Sequence, residues 1–413
     1  MNMSTKVVRA EDVGLISERL AKIPAFMQNY LDTGKLAGVS TLVSRHGQIA
    51  HFDCIGVKDK DTKEPILHDT IFRIYSMTKP ITSLALMMLH EEGKFQLNHP
   101  VHKYIPEFKK LKVWAGGNAP ISETKPCDRA MTIRDLLTHT SGLTYGFMQQ
   151  NVVDAMYREK GIDGANTTGI DLKEFVERLA DIPLLFSPGE EWSYSVAIDV
   201  CGRLVEILSG VPLDEFFASR IFKPLGMVDT AFFVPKDKLH RFASNYFKNP
   251  VTHTEGLMDK GDATSSYSKA PQFLSGGGGL VSTMMDYWRF CQMLLNGGEY
   301  DGTRLVSRKT IEFMRMNHLP FNNTMKEMST SAFSELAAEG TGFGLGFAVV
   351  LDPAEAQSIG SPGNYSWGGA ASTYFWIDPE EDIVAILMTQ LYPSSTYPLR
   401  PQLQQLVYAA IEA

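Results

Sequence analysis

The chain has 413 residues, 44% of them apolar and 21% charged, which allows a large core with no need for a disulfide or metal staple. Its 39 basic and 47 acidic side chains leave a net charge of −8, which argues against a nucleic-acid-binding face. No stretch has the apolar length of a membrane span. Met1 to Leu20 lacks the apolar run of a secretory signal, so the expected location is the cytoplasm.

Helical periodicity runs from about Val13 to Leu31. Two apolar-rich runs, from Ala37 and from Gln48, flank the turn at Arg45-His46-Gly47 and predict a β-hairpin. Helical patterns come next at 81–92, 132–138, 172–180, 196–209, 213–217 and 284–295, separated by Gly or Pro. The stretch 317–342 is polar, Met-rich and weakly periodic, and predicts a long surface loop or flap. A second hairpin is predicted from 372–378 and 383–389 around Pro379-Glu-Glu-Asp382, and a last helix from about Pro401. Strands at both ends with helices between them predict an α+β fold, an antiparallel sheet built from both termini and flanked by helices. A single domain over 1–413 is expected. Its α/β lobe would comprise about 1–80 and 340–413, and an inserted, mostly helical lobe about 81–339.

Cys54, Cys127, Cys201 and Cys291 are scattered with no Cys-x-x-Cys pair, the pattern of reduced thiols. No cofactor or metal is expected. His-Glu-x-x-His is absent, and His99-Pro-Val-His102 lacks nearby carboxylates. Gly-x-Ser-x-Gly does not occur, which counts against an α/β-hydrolase. The glycosylation sequons at Asn166, Asn322 and Asn364 are expected to be incidental without a secretion signal.

Ser-x-x-Lys occurs three times. Ser122/Lys125 lies between Pro120 and Pro126, and Ser266/Lys269 has no helical pattern after it. Ser76-Met-Thr-Lys79-Pro80 opens a helix whose apolar residues Ile81, Leu84, Ala85, Met88 and Leu89 share a face. Pro80 fits only the first turn, so it fixes the helix start near Ser76–Lys79. A residue three positions along a helix can reach the serine hydroxyl. The helix mouth supplies N–H groups for a developing oxyanion. A free lysine has a pKa of ~10.4. Lys79 must therefore be desolvated to act as a base, or stay charged and assist a second base.

Four further segments stand C-terminal to this motif: Leu136-Leu-Thr-His-Thr-Ser-Gly-Leu143, Pro188-Gly-Glu-Glu-Trp-Ser-Tyr-Ser195, Pro224-Leu-Gly-Met-Val-Asp-Thr230 and Gly276-Gly-Gly-Gly-Leu-Val-Ser282. With the serine motif, and in that order, they resemble the class C β-lactamase/penicillin-binding-protein superfamily from about Leu31 onward. The subgroup most resembled is the family VIII carboxylesterases, with statin-type acyltransferases as relatives. The resemblance implies a β-lactamase/transpeptidase-like fold, Ser76 as nucleophile with Lys79 beside it, and Tyr194 as general base. It also implies an oxyanion hole from the backbone N–H groups of Ser76 and Ala370. The family's Tyr-x-Asn motif has Val196 in place of the asparagine. Its Lys-Thr-Gly motif is matched by Trp367-Gly368-Gly369. Both changes remove groups that recognise a β-lactam. Trp367, Gly368 and Gly369, with Tyr145, are the implied substrate-binding residues, Trp367 as an apolar wall. His139 is read as structural. The implied activity is hydrolysis of a small-molecule ester with a small or medium acyl chain. Acyl transfer to an alcohol, β-lactamase or D-Ala-D-Ala peptidase activity, and a non-catalytic binding protein stand as alternatives.

Overall fold

Apolar-rich runs at the two ends of the chain build one sheet. The computed structural model describes residues 6–329 and 339–412. Five helices frame this sheet and Ser76: α1 (Lys22–Asp32), α2 (Thr78–Glu91), α3 (Ala197–Ser209), α4 (Met284–Leu295) and α5 (Leu399–Tyr408). The sheet is made of β1 (Gly38–Arg45), β2 (Gln48–Gly56), β3 (Thr341–Phe343), β4 (Ala348–Val350), β5 (Tyr365–Gly368), β6 (Tyr374–Asp378) and β7 (Ile383–Thr389). Its order is β3-β4-β5-β6-β7-β1-β2, and the pairings are antiparallel. The two ends of the chain meet inside it, where Leu42 faces Ile386 and Val43 faces Ala385. His46 and Gly47, both with positive φ (52° and 70°), close the β1–β2 hairpin in the manner of a type I′ turn.

Both faces of the sheet are covered, so β7 is buried along its whole length. Ile383, Ala385 and Leu387 pack with Ile23 and Met27 of α1 and Leu403 and Val407 of α5. Val384, Ile386 and Met388 point the other way, into a larger core shared with α2, α3 and α4, as the two-residue repeat of a strand requires. Although α4 lies within 81–339, it packs on this face of the sheet. Trp288 Nε1 donates to Ser44 Oγ at 2.8 Å, and the Tyr287 ring lies 5.2 Å from that of Phe375.

The helices expected in the middle of the chain form within a few residues of their predicted bounds. Two expectations change. The helix read over 13–31 is broken into a turn at Ala10–Val13, which Gly14 ends with φ 68°, a short helix Ser17–Leu20 and, after Ala21, α1. The stretch 317–342 is not a loop throughout. It contains the helix Met325–Met328, whose Thr324 and Glu327 cap each other reciprocally, and the start of β3. Met325 and Met328 are buried. Residues 330–338 of that stretch lie outside the described residues. No described helix is long and apolar enough to cross a membrane.

From Thr78 to Leu89, α2 is buried on every side, as befits an element that crosses the core. Leu84, with no exposed surface, has no room to collapse around when shortened. Leu84→Ala is expected to lower stability by about 3 kcal/mol, measured by urea unfolding with an unchanged m-value.

Candidate active site

The chain reaches Ser76 through a strained turn. Strand Ile71–Arg73 ends at Ile74, and Tyr75 then takes φ 42° in the turn Tyr75–Met77. That left-handed conformation costs an aromatic residue on the order of 1–3 kcal/mol. Its result is a half-buried Ser76 just ahead of α2. The Tyr75 hydroxyl accepts from Asn245 Nδ2 at 3.0 Å, which helps to hold the turn.

Lys79 lies one turn along and is 1% exposed. Its Nζ donates to Ser76 Oγ at 3.1 Å and to the Gly277 carbonyl at 2.6 Å. It sits 4.5 Å from the centre of the Tyr194 ring and 5.4 Å from that of Tyr145. Burial pulls its pKa down to about 7, against the opposing pull of the Asp199 carboxylate.

Tyr194 comes from a distant segment, three residues ahead of α3. Its hydroxyl donates to Ser76 Oγ at 2.7 Å. Neighbouring peptides pin this segment: Ser193 N–H donates to the His139 carbonyl at 2.9 Å and Val196 N–H to that of Thr144 at 3.2 Å. The Tyr194 ring lies 5.0 Å from His139, 5.2 Å from Tyr145 and 5.6 Å from Trp367. Ser76, Lys79 and Tyr194 are thus brought together on one oxygen.

His139 is buried at this aromatic cluster, with Nδ1 3.2 Å from Ser195 Oγ. Burial, reinforced by the Lys79 charge, keeps it well below the usual histidine range, so it is neutral. It packs against the Tyr194 ring, and its Nε2 has no hydrogen-bond partner among the described residues.

A cavity of about 270 Å³ opens over Ser76. Tyr145, Gly368, Gly369 and Ala370 line it. The backbone N–H groups of Ser76 and Ala370 donate to no backbone carbonyl of the described residues. Gly369 passes so close to the turn that carries Ser76 that a Cβ would lie 2.4 Å from the Ile74 carbonyl. Arg400 Nη2 donates to the carbonyls of Gly369 and Thr373 at 3.1 and 3.3 Å, bracing the turn that carries Ala370.

Trp367 requires a correction. It is 1% exposed, and its ring packs on Phe343 and Tyr194 rather than lining the cavity. In β5 the large residues Tyr365 and Trp367 are buried while Ser366 and Gly368 are half-buried, so strand alternation turns Trp367 into the core. It supports the Tyr194 ring instead of forming a substrate wall. Val196, the position of the missing asparagine, is likewise buried.

Sequence reasoning missed Asp199, fully buried in the first turn of α3. An acid set among Val196, Ala197, Ile198, Val200 and Cys201 was the available signal. It also missed the cavity walls Phe147, Met258 and Tyr392, which come from three separate segments. Among the described residues no group of three or more His, Cys, Asp or Glu side chains could hold a metal ion.

A hydroxyl at a helix mouth, met by a buried amine and a phenol beside an antiparallel sheet, defines a serine hydrolase of the acyl-enzyme class. The chain belongs to the Beta-lactamase family, which matches residues 23–409. It is 36% identical over 373 residues to the protein Rv1367c of Mycobacterium tuberculosis, covering 89% of each chain. It is 31% identical over 407 residues to the esterase EstB of Burkholderia gladioli, covering 94% of this chain and 95% of the other. Among solved structures it is similar to EstCE1, described as a hydrolase with promiscuous acyltransferase activity. That match has a TM-score of 0.79 and 28% identity, and covers 95% of this chain and 99% of the other.

Proposed function

We propose that the chain is a cytoplasmic carboxylesterase of the family VIII type, acting as one catalytic domain on small-molecule esters. The observation that carries this reading is the Ser76 hydroxyl, bonded at once by Lys79 at 3.1 Å and Tyr194 at 2.7 Å. Ser76 Oγ attacks the ester carbonyl carbon, and its proton passes to the Tyr194/Lys79 pair. The carbonyl oxygen, now negative, takes hydrogen bonds from the amides of Ser76 and Ala370. The pair returns the proton to the departing alkoxide, leaving an acyl-serine. Water then repeats the sequence and frees the acid. A cavity of about 270 Å³ is near the small end for ligand sites and suits small or medium acyl chains. EstB, an esterase by name, supports the ester class. The four free thiols support a reducing compartment.

A nitrophenyl butyrate ester and a chromogenic cephalosporin, offered to the wild type and to Ser76→Ala, test this. Ester turnover that is lost in the variant is expected. Predominant lactam turnover would move the assignment to a β-lactamase. Absence of both, with no adduct from a serine-directed phosphonate, would leave a binding protein. The description of EstCE1 favours acyl transfer as a second outcome of the same acyl-serine. Added short-chain alcohol is expected to yield some transesterified product, detected by gas chromatography.

The pH dependence derives from Lys79. With its pKa at about 7, Lys79 gives up its proton as pH rises through that value. The base form is therefore present above about 7 and lost below it. kcat/KM is expected to rise through an acid limb centred there and then level off. A profile already flat at pH well below that value would remove Lys79 from the base.

A further inference from the structure

Asp199 takes no part in proton transfer or oxyanion binding, yet it is fully buried beside the groups that do. It is the third residue of α3, the helix that packs on α2. Its Oδ1 accepts from Ser275 Oγ at 2.6 Å and from Gly277 N–H at 3.0 Å. The carbonyl of the same residue, Gly277, receives Lys79 Nζ at 2.6 Å. Position 277 admits no side chain, because a Cβ would lie 2.6 Å from Asp199 Oδ2. Carboxylate, glycine and amine therefore form one line of contacts that joins α3 to α2 at the reacting hydroxyl.

A buried carboxylate is expensive to keep ionised. Asp199 Oδ2 is moreover buried with no hydrogen-bond partner among the described residues. Burial raises the pKa of this group, while Ser275, Lys79 and the Gly277 amide hold it down. The titratable groups around the pair are His139, Tyr145, Tyr194 and Cys201, with Asp163 acting on Tyr145. Burial keeps His139, Tyr145 and Cys201 neutral near pH 7. Asp199 is the carboxylate whose charge acts on Lys79.

We propose that Asp199 is a positioning residue for the hydrolytic reaction: it fixes the Gly277 segment that aims Lys79 at Ser76 and sets a carboxylate charge beside that amine. This rests on the assignment of Lys79 to the base. Asp199→Asn keeps the size and an acceptor for Ser275 and Gly277 but removes the charge. The ammonium of Lys79 is then less favoured. The acid limb of kcat/KM is expected to move to lower pH by about half a unit or more, with the plateau within about tenfold of wild type. Ser275→Ala removes one donor that favours the ionised carboxylate. It is expected to move the limb the same way by less, and it carries the test if the asparagine variant does not fold.

A purely structural Asp199 would lower the plateau or the melting temperature and leave the limb in place. That result, or a shift to higher pH, overturns the proposal. The pH dependence of Ser76 labelling by a p-nitrophenyl phosphonate, read by mass spectrometry, gives the same limb without ester turnover. If the labelling limb moves in Asp199→Asn although no ester is hydrolysed, the substrate assignment fails and the role of Asp199 stands. If Lys79→Ala labels with the wild-type pH profile, Lys79 is not part of the base and the proposal falls.

Discussion

Ser76→Ala is expected to lower kcat/KM for a nitrophenyl ester by about four orders of magnitude or more. Lys79 Nζ and the Tyr194 hydroxyl both direct a hydrogen bond at the one oxygen this variant deletes. What remains is the cavity and the two amides proposed to hold the oxyanion, which can only assist direct attack by water. The fold should hold, because the hydroxyl is half-buried and α2 begins with the packing of Thr78, Pro80 and Ile81, not with a bond from Ser76. Thermal melts are expected to agree within a few degrees. Activity close to wild type with an unchanged melt would place the nucleophile elsewhere.

Tyr194→Phe is expected to cost about three orders of magnitude in kcat/KM, with little change in stability. The ring stays wedged between His139 at 5.0 Å and Trp367 at 5.6 Å, so only the proton path is lost. Lys79→Ala should cost as much in rate and also destabilise the fold. It empties a buried site and leaves the Gly277 carbonyl without the donor now 2.6 Å away. Lys79→Met fills most of that space and separates the two effects: the stability should largely return and the rate should not. Comparison of initial rates with urea unfolding curves for the three variants checks this. A phenylalanine variant within tenfold of wild type would deny Tyr194 its part in proton transfer.

Much of this architecture is legible in the chain because it is written in local chemistry. The terminal hairpins are apolar-rich runs around His46-Gly47 and Pro379-Glu-Glu-Asp382, and they pair as expected. Pro80 marks the first turn of α2, and Thr78 opens the helix. The reciprocal cap of Thr324 and Glu327 was also present as a signal, hidden in a stretch whose composition suggested a loop. The direction of Trp367 was readable too, since Tyr365-Ser-Trp-Gly alternates large and small residues and the large pair turns inward. The cavity walls were not. Met258 and Tyr392 belong to a three-stranded sheet in which Leu391–Tyr392 runs parallel to Asn245–Lys248. Strands so short carry no period that would pair them across such a distance in sequence. Asp199 lay between these cases: its burial was foreseeable from its neighbours, but the Gly277 segment it holds was not.

An acyl-serine at position 76 is tested most directly by the mass of the enzyme during turnover. A reaction with nitrophenyl butyrate, quenched in acid within its first turnovers and digested with trypsin, is expected to show a butyryl group on the peptide containing Ser76 and on no other peptide. Rapid hydrolysis with that peptide unmodified, or with the acyl group on a different side chain, would contradict it.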